Sequence, residues 1–165
     1  MSNVTVSIDI DASPATVWAA VEPIEDHVDW MADAVAIHFE GEQRRGVGTT
    51  FLCDTKIGPI RLTDRMEITE WVPAVDAGKG EGDRDRGRGI DGAMGVRHSG
   101  LVTGSGVFSL EPVGSEGVRT RFTWTEQLDF PWFFGGRLGE IVAARLVLGP
   151  LWRRNLSGLK RLVEG

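Results

Sequence analysis

The chain has 165 residues but only one cysteine, Cys53, and three lysines, Lys56, Lys79 and Lys160. One cysteine excludes an intramolecular disulfide and any cysteine-rich metal site. It fits a reducing compartment. His27, His38 and His98 lack the paired spacing of metal ligands, so no metal is expected. No apolar run reaches the ~18 residues that span a bilayer, so no stable membrane insertion is expected. The opening segment MSNVTVSIDIDASP has neither the basic stretch nor the apolar stretch of a secretory signal, and a cytoplasmic location is expected. Concentrated positive charge is missing too. The net charge is −6 and the pI about 5.1, which argues against nucleic acid as a partner. The tract Arg84-Asp-Arg86-Gly-Arg88 interleaves acids with its bases. Gly46-Val-Gly48, Gly78-Lys-Gly80 and Gly104-Ser-Gly106 invite a nucleotide-loop reading. None follows a strand and opens a helix, so no nucleotide and no other cofactor is expected.

What is present is an ordinary globular balance, 41% apolar and 25% charged. This length buries about two-thirds of its unfolded surface in one domain. Val4, Val6, Ile8 and Ile10 alternate with Thr5, Ser7 and Asp9, which predicts a half-buried strand. Ser13 is a helix N-cap with Pro14 at the first helical position. Val17, Trp18 and Val21 then mark a short helix that ends at Pro23. A second short helix is predicted over His27–Met31, with Val28 and Met31 on one face. Six strands follow, near 35–40, 48–57, 60–71, 94–100, 104–111 and 118–129. The turn Gly58-Pro59 pairs Ile57 with Ile60, Thr55 with Leu62, Cys53 with Asp64, and Phe51 with Met66. Gly114-Ser115-Glu116-Gly117 turns the last hairpin. Short connections make the sheet mostly antiparallel.

Residues 76–92 break this pattern. Six glycines, five acids and four bases bury too little to offset their ordering entropy. They predict a flexible loop inserted in a single domain covering 1–165, with a lid as the functional alternative.

From Pro131 to Glu164 the spacing of Leu138, Ile141, Val142, Leu148, Trp152, Leu156, Leu159 and Val163 predicts one long helix. Gly149-Pro150 should kink or briefly break it. A run of strands closed by one long helix places that helix across the open face of a curved sheet. The expected fold class is α+β, with a seven-stranded curved antiparallel sheet around the helix and two short helices after the first strand. Such an arrangement leaves a cavity, and the expected partner is an apolar small molecule. Whether the chain is a homodimer is left open.

Three segments carry a resemblance. They are VSIDIDASPATVWAAV, GPIRLTDRMEITEW, and VTGSGVFSLEPVGSEGVRTRFTWTEQLDFPW leading into WRRNLSGLKRLVE. In order and motif the chain resembles the START-like helix-grip superfamily, including its bacterial polyketide cyclase/dehydrase and lipid-transport proteins. The resemblance implies a helix-grip fold and an apolar ligand such as a lipid, polyketide or quinone-like compound. It supplies no catalytic motif to carry over. The 76–92 insertion departs from a plain member.

Alternation predicts the side chains that face the cavity. Ile60, Leu62, Asp64, Met66 and Ile68 form one inward set, and Phe122, Trp124, Glu126 and Leu128 another. His98 shares the parity of Val96. The expected ligand contacts are Phe51, Cys53, Leu62, Asp64, Met66, His98, Phe108, Phe122, Trp124, Glu126, Leu138, Ile141 and Trp152. Asp64, His98 and Glu126 are the candidate catalytic residues, since an apolar pocket keeps a carboxyl able to donate a proton. A cyclase, aromatase or dehydratase would use them as acids and bases. In a binder they orient the ligand, meet water at the mouth or pair with arginine. A co-chaperone-like interaction module is the third alternative. Cys53 reads as a small buried thiol. The aromatic segment Asp129–Gly136, with Trp132, Phe133 and Phe134, is either a core plug or an access portal.

Overall fold

The computed structural model describes residues 2–75, 91–114, 119–129 and 144–165. Strand β1 (Ser2–Ile10) is followed by helix α1 (Pro14–Val21), one 3-10 turn (Ile24–Asp26) and helix α2 (His27–Trp30). Strands β2 (Ala34–Glu40), β3 (Thr50–Ile57), β4 (Ile60–Val72), β5 (Gly92–Ser99), β6 (Thr103–Val113) and β7 (Arg119–Asp129) come next. A π-helical turn (Ala144–Leu148) leads into helix α3 (Gly149–Glu164).

The strands form one curved antiparallel sheet in the order β1-β7-β6-β5-β4-β3-β2. The β3–β4 hairpin has the expected register, with Ile57 opposite Ile60, Cys53 opposite Asp64, and Phe51 opposite Met66. Gly58 closes it at a φ of 60°, a conformation glycine adopts without steric cost. Of the last hairpin's turn, Gly114 is described, and the other three residues lie outside the described residues.

α1 begins as its residues dictate. The Ser13 side chain accepts from the Thr16 N–H, and Pro14 sits in the first turn, where its missing donor costs nothing. Pro14, Val17, Trp18 and Val21 are the buried residues. α2 forms where expected but on another face. His27 and Trp30 are buried, while Val28 and Met31 are half-buried. A one-turn helix is oriented by its contacts, and the rings of His27 and Trp30 bury more surface against Phe108.

α3 packs along β1 and against α1 and α2. Trp152, Asn155, Leu156 and Leu159 form its buried stripe. Pro150 lies in the first turn of the α-helix, directly after the wide π turn, so the break falls where the sequence placed it. Fully buried Asn155 is a polar clamp. Its Oδ1 accepts from the Ala32 N–H (2.8 Å) and its Nδ2 donates to Asp33 Oδ1 (2.6 Å). Lys160 donates to the Asp9 carbonyl, and the Asp11 N–H donates to Glu164, both at 2.7 Å. The expected helix residues 131–143 lie outside the described residues, as do 76–90 of the insertion. Gly92 belongs to the sheet instead, and Asp91 is tied to it. The Asp91 N–H donates to the Leu110 carbonyl (2.8 Å), and Gly92 opens β5 and is buried.

Candidate functional site

The concave face is best read in rows that cross β5, β6 and β7. Gly92, Leu110 and Phe122 form the first row, then Met94, Phe108 and Trp124, then Val96, Gly106 and Glu126, then His98, Gly104 and Leu128. The first row is packed solid, with Leu110 and Phe122 fully buried. Truncating either to alanine should cost about 2–5 kcal/mol. In the last two rows β6 contributes only glycine. Of the two, Gly106 lines a cavity of about 130 Å³. That is close to the ~150 Å³ that admits a benzene ring in an engineered apolar site.

β3, β4, β5 and β7 supply most of the wall, with α2, β2 and α3 closing it. Phe51, Cys53, Leu62, Met66, Ile68, Met94, Val96, Val102, Leu128 and Leu148 give an apolar lining. Trp124 stacks on Trp152 with ring centroids 5.1 Å apart and planes 22° from parallel. Phe108 meets the edge of Trp124 at 5.1 Å. The result is an aromatic floor with a buried polar end.

That polar end brings together the three ionisable residues expected from alternation. Asp64 and Glu126 are each 6% exposed and His98 8%. His98 Nε2 lies 3.5 Å from Glu126 Oε1, an ion-pair distance without hydrogen-bond alignment, and neither ring nitrogen has a hydrogen-bond partner. Asp64 Oδ1 accepts a long bond from the Val102 N–H (3.4 Å). Glycines hold the carboxyl groups in place by leaving them room. A Cβ on Gly106 would stand 2.9 Å from Glu126 Cγ, and one on Gly100 would stand 2.5 Å from Asp64 Oδ1. Buried donors and acceptors left unpaired cost about 1–3 kcal/mol each, so this cluster is held at a cost by the packing around it.

Ten of the expected contacts line the cavity: Phe51, Cys53, Leu62, Asp64, Met66, His98, Phe108, Trp124, Glu126 and Trp152. Phe122 does not. It faces inward but lies in the packed row beneath Phe108, with ring centroids 5.2 Å apart. Ile60 shares the inward parity yet is 45% exposed, because the hairpin tip extends past the cavity. Leu138, Ile141 and the aromatics Trp132, Phe133 and Phe134 lie outside the described residues. Sequence reasoning missed His27, Met31, Asp33 and Gly106, all of which line the cavity.

His27 is fixed from outside the sheet. Its Nε2 donates to the Val21 carbonyl (2.7 Å), leaving Nδ1 as the acceptor nitrogen. Burial pushes the imidazole down to about 4, outweighing the opposing effects of the Val21 carbonyl and Glu25. The Cys53 thiol is pushed up to about 12, by burial first and then by Asp33, Asp64, Asp54 and Glu126. A thiol so held is a packing group, since nucleophilic cysteine needs a thiolate. Among the described residues, no group of three or more His, Cys, Asp or Glu is placed to hold a metal ion.

A sequence profile described as polyketide cyclase/dehydrase and lipid transport matches residues 1–164. The chain belongs to this family. No curated protein matches the sequence. Among solved structures, this polyketide cyclase/dehydrase and lipid-transport family member is similar to a protein of Thermus thermophilus, at 16% identity and a TM-score of 0.72, covering 99% of this chain and 97% of that one. A START superfamily protein of Mycobacterium smegmatis is 14% identical with a TM-score of 0.70 and coverages of 98% and 97%. The Zhui aromatase/cyclase of a Streptomyces species is 12% identical with a TM-score of 0.69 and coverages of 99% and 93%. At these identities the likeness establishes the START-like helix-grip fold. Among the described residues, no helix is long and apolar enough to cross a membrane.

Proposed function

We propose that this chain binds a compact, ring-bearing apolar molecule in the cavity between its sheet and α3, and orients it through His98, Glu126 and Asp64. The observation that carries this reading is His98. Its two ring nitrogens lack hydrogen-bond partners at 8% exposure inside an otherwise apolar, aromatic-floored cavity. Ligand sites have this composition, a mostly apolar lining with a few convergent polar groups. The enclosed volume favours a single ring over a diacyl lipid. The whole of 1–165 then acts as one binding domain. A preserved cavity with an unspent polar cluster supports binding over an interaction module with a vestigial interior.

The test is a tryptophan-fluorescence titration with phenethyl alcohol, an uncharged probe of ring size. Saturable quenching is expected, because Trp124 and Trp152 form the cavity floor. Val96→Phe should abolish it by placing a ring over Gly106, the residue opposite Val96. Saturation that survives in a folded Val96→Phe protein contradicts the reading.

A second reading, a cyclase or dehydratase, is favoured by one observation. Glu126 stands beside His98 as a carboxyl–imidazole pair at the end of the aromatic floor, an acid/base arrangement within reach of a bound ring. Native mass spectrometry of wild type and Glu126→Gln separates the two. Retained molecules differing by the mass of one water favour dehydration, and identical ones favour binding.

A further inference from the structure

We propose that the cavity selects a cationic ligand, an apolar molecule carrying a protonated amine, with the amine facing the acidic side chains of the lining, Glu126 and Asp64 among them, and the apolar body laid on the Trp124–Trp152 floor. This rests on the binding reading above and specifies its ligand class.

The first argument is the charge of the lining. Three acidic side chains, Asp33, Asp64 and Glu126, line the cavity, and no lysine or arginine does so among the described residues. Arginines pair with acids elsewhere, as Arg65 does with Glu40, Arg97 with Glu67, and Arg121 with Asp9. All of these lie on the solvent side. Asp33 is partly spent on Asn155. Among the described residues Asp64 accepts one long bond, and Glu126 lies near His98 without bonding it. Their remaining oxygens are acceptors, and an ammonium group is a cluster of donors.

Cys53 adds a second argument. It sits across the hairpin from Asp64. Burial first, and then four acids, hold its proton on, and three of those acids line the cavity. The same negative potential that disfavours a thiolate there favours a cation.

The floor supplies the third argument. Trp124 and Trp152, with Phe108 beside them, bring indole and phenyl rings to the lining, and the electron-rich ring faces attract organic cations. The His98 ring and the indole N–H of Trp124, both without partners, are further polar groups of the site. They suit an oxygen on the same ligand.

The experiment compares three probes of one shape by calorimetry at fixed ionic strength: phenethylamine, phenethyl alcohol and hydrocinnamate. Phenethylamine should bind at least ~10-fold more tightly than the alcohol, and hydrocinnamate should not saturate. In Glu126→Gln or Asp64→Asn the ratio of amine to alcohol affinity should fall toward one. The net charge of −6 attracts any cation weakly, so Val96→Phe, which fills the cavity, provides the background. The ranking in the unmodified protein decides even where a variant fails to fold. Equal affinity for amine and alcohol would leave the binding reading standing and overturn the cation inference. Tighter binding of hydrocinnamate, or a preference that survives both substitutions, would also overturn it. If no probe binds, both readings fall together.

Discussion

Acidification should unload stability from one residue in particular, His27. Its imidazole is enclosed by α2 and the sheet, donates to the Val21 carbonyl, and is held neutral down to about 4, against 6.5 when exposed. The unfolded chain therefore binds a proton that the folded chain refuses throughout that interval. Stability is complete above about 6.5 and falls as the pH drops toward 4. At ~1.36 kcal/mol per pH unit, the interval is worth about 3.4 kcal/mol in full and about 2 kcal/mol by pH ~5. Against a total of ~5–15 kcal/mol for a domain, that is a large fraction. Urea denaturation of wild type and His27→Gln at about pH 7 and about pH 5 measures it, since glutamine keeps a donor for Val21 and does not titrate. The wild type should lose about 2 kcal/mol more than the variant over that range. Asp9, held below its usual value first by its hydrogen bond to Arg121, loses its contribution only below about 3.8 and does not overlap. Equal losses in the two proteins would refute the assignment of a buried neutral imidazole.

Other outcomes follow from the same geometry. Gly106→Ala should destabilise by about 1–3 kcal/mol and weaken ligand affinity, since its Cβ would meet Glu126 Cγ at 2.9 Å and Val96 Cγ1 at 3.2 Å; unchanged melting and affinity would show that Glu126 can move freely. Asn155→Ala should cost about 2–4 kcal/mol in denaturant titration, because the Ala32 N–H and Asp33 lose their partner in a buried place; a loss under ~0.5 kcal/mol would show that the clamp is not needed. Cys53, buried and with its thiol held at about 12, should react with an aromatic disulfide reagent only as fast as the protein opens; immediate labelling at neutral pH would contradict its burial.

Much of this architecture was legible in the sequence because it rests on local patterns. Strict alternation in β1, β4 and β7 gave inward and outward faces. The two-residue Gly58-Pro59 turn set the β3–β4 register. The candidate set Asp64, His98 and Glu126 came from the same parity, a polar residue interrupting an apolar row. Other features escaped because they depend on what lies opposite. Gly104-Ser-Gly106 looked like a loop motif to be dismissed, yet Gly106 lines the cavity and leaves room for Glu126, while Gly104 lets β6 approach the β7 backbone at Gln127. The depth of Phe122 could not be read from parity, which gives a side but not a layer. His27 and Asp33 reach the cavity from a one-turn helix and the segment after it, where no periodicity is long enough to assign a face. The polar clamp at Asn155 sits at an apolar-stripe position, and only its partners explain it.

The central claim is that a small molecule occupies the space between Gly106 and α3. Native mass spectrometry of the protein purified from its own host tests it most directly. The account predicts one retained molecule per chain, carrying a basic nitrogen and at least one ring, absent from Val96→Phe purified in the same way. A bare chain mass in the wild type, or the same retained molecule in the cavity-filled variant, would contradict it.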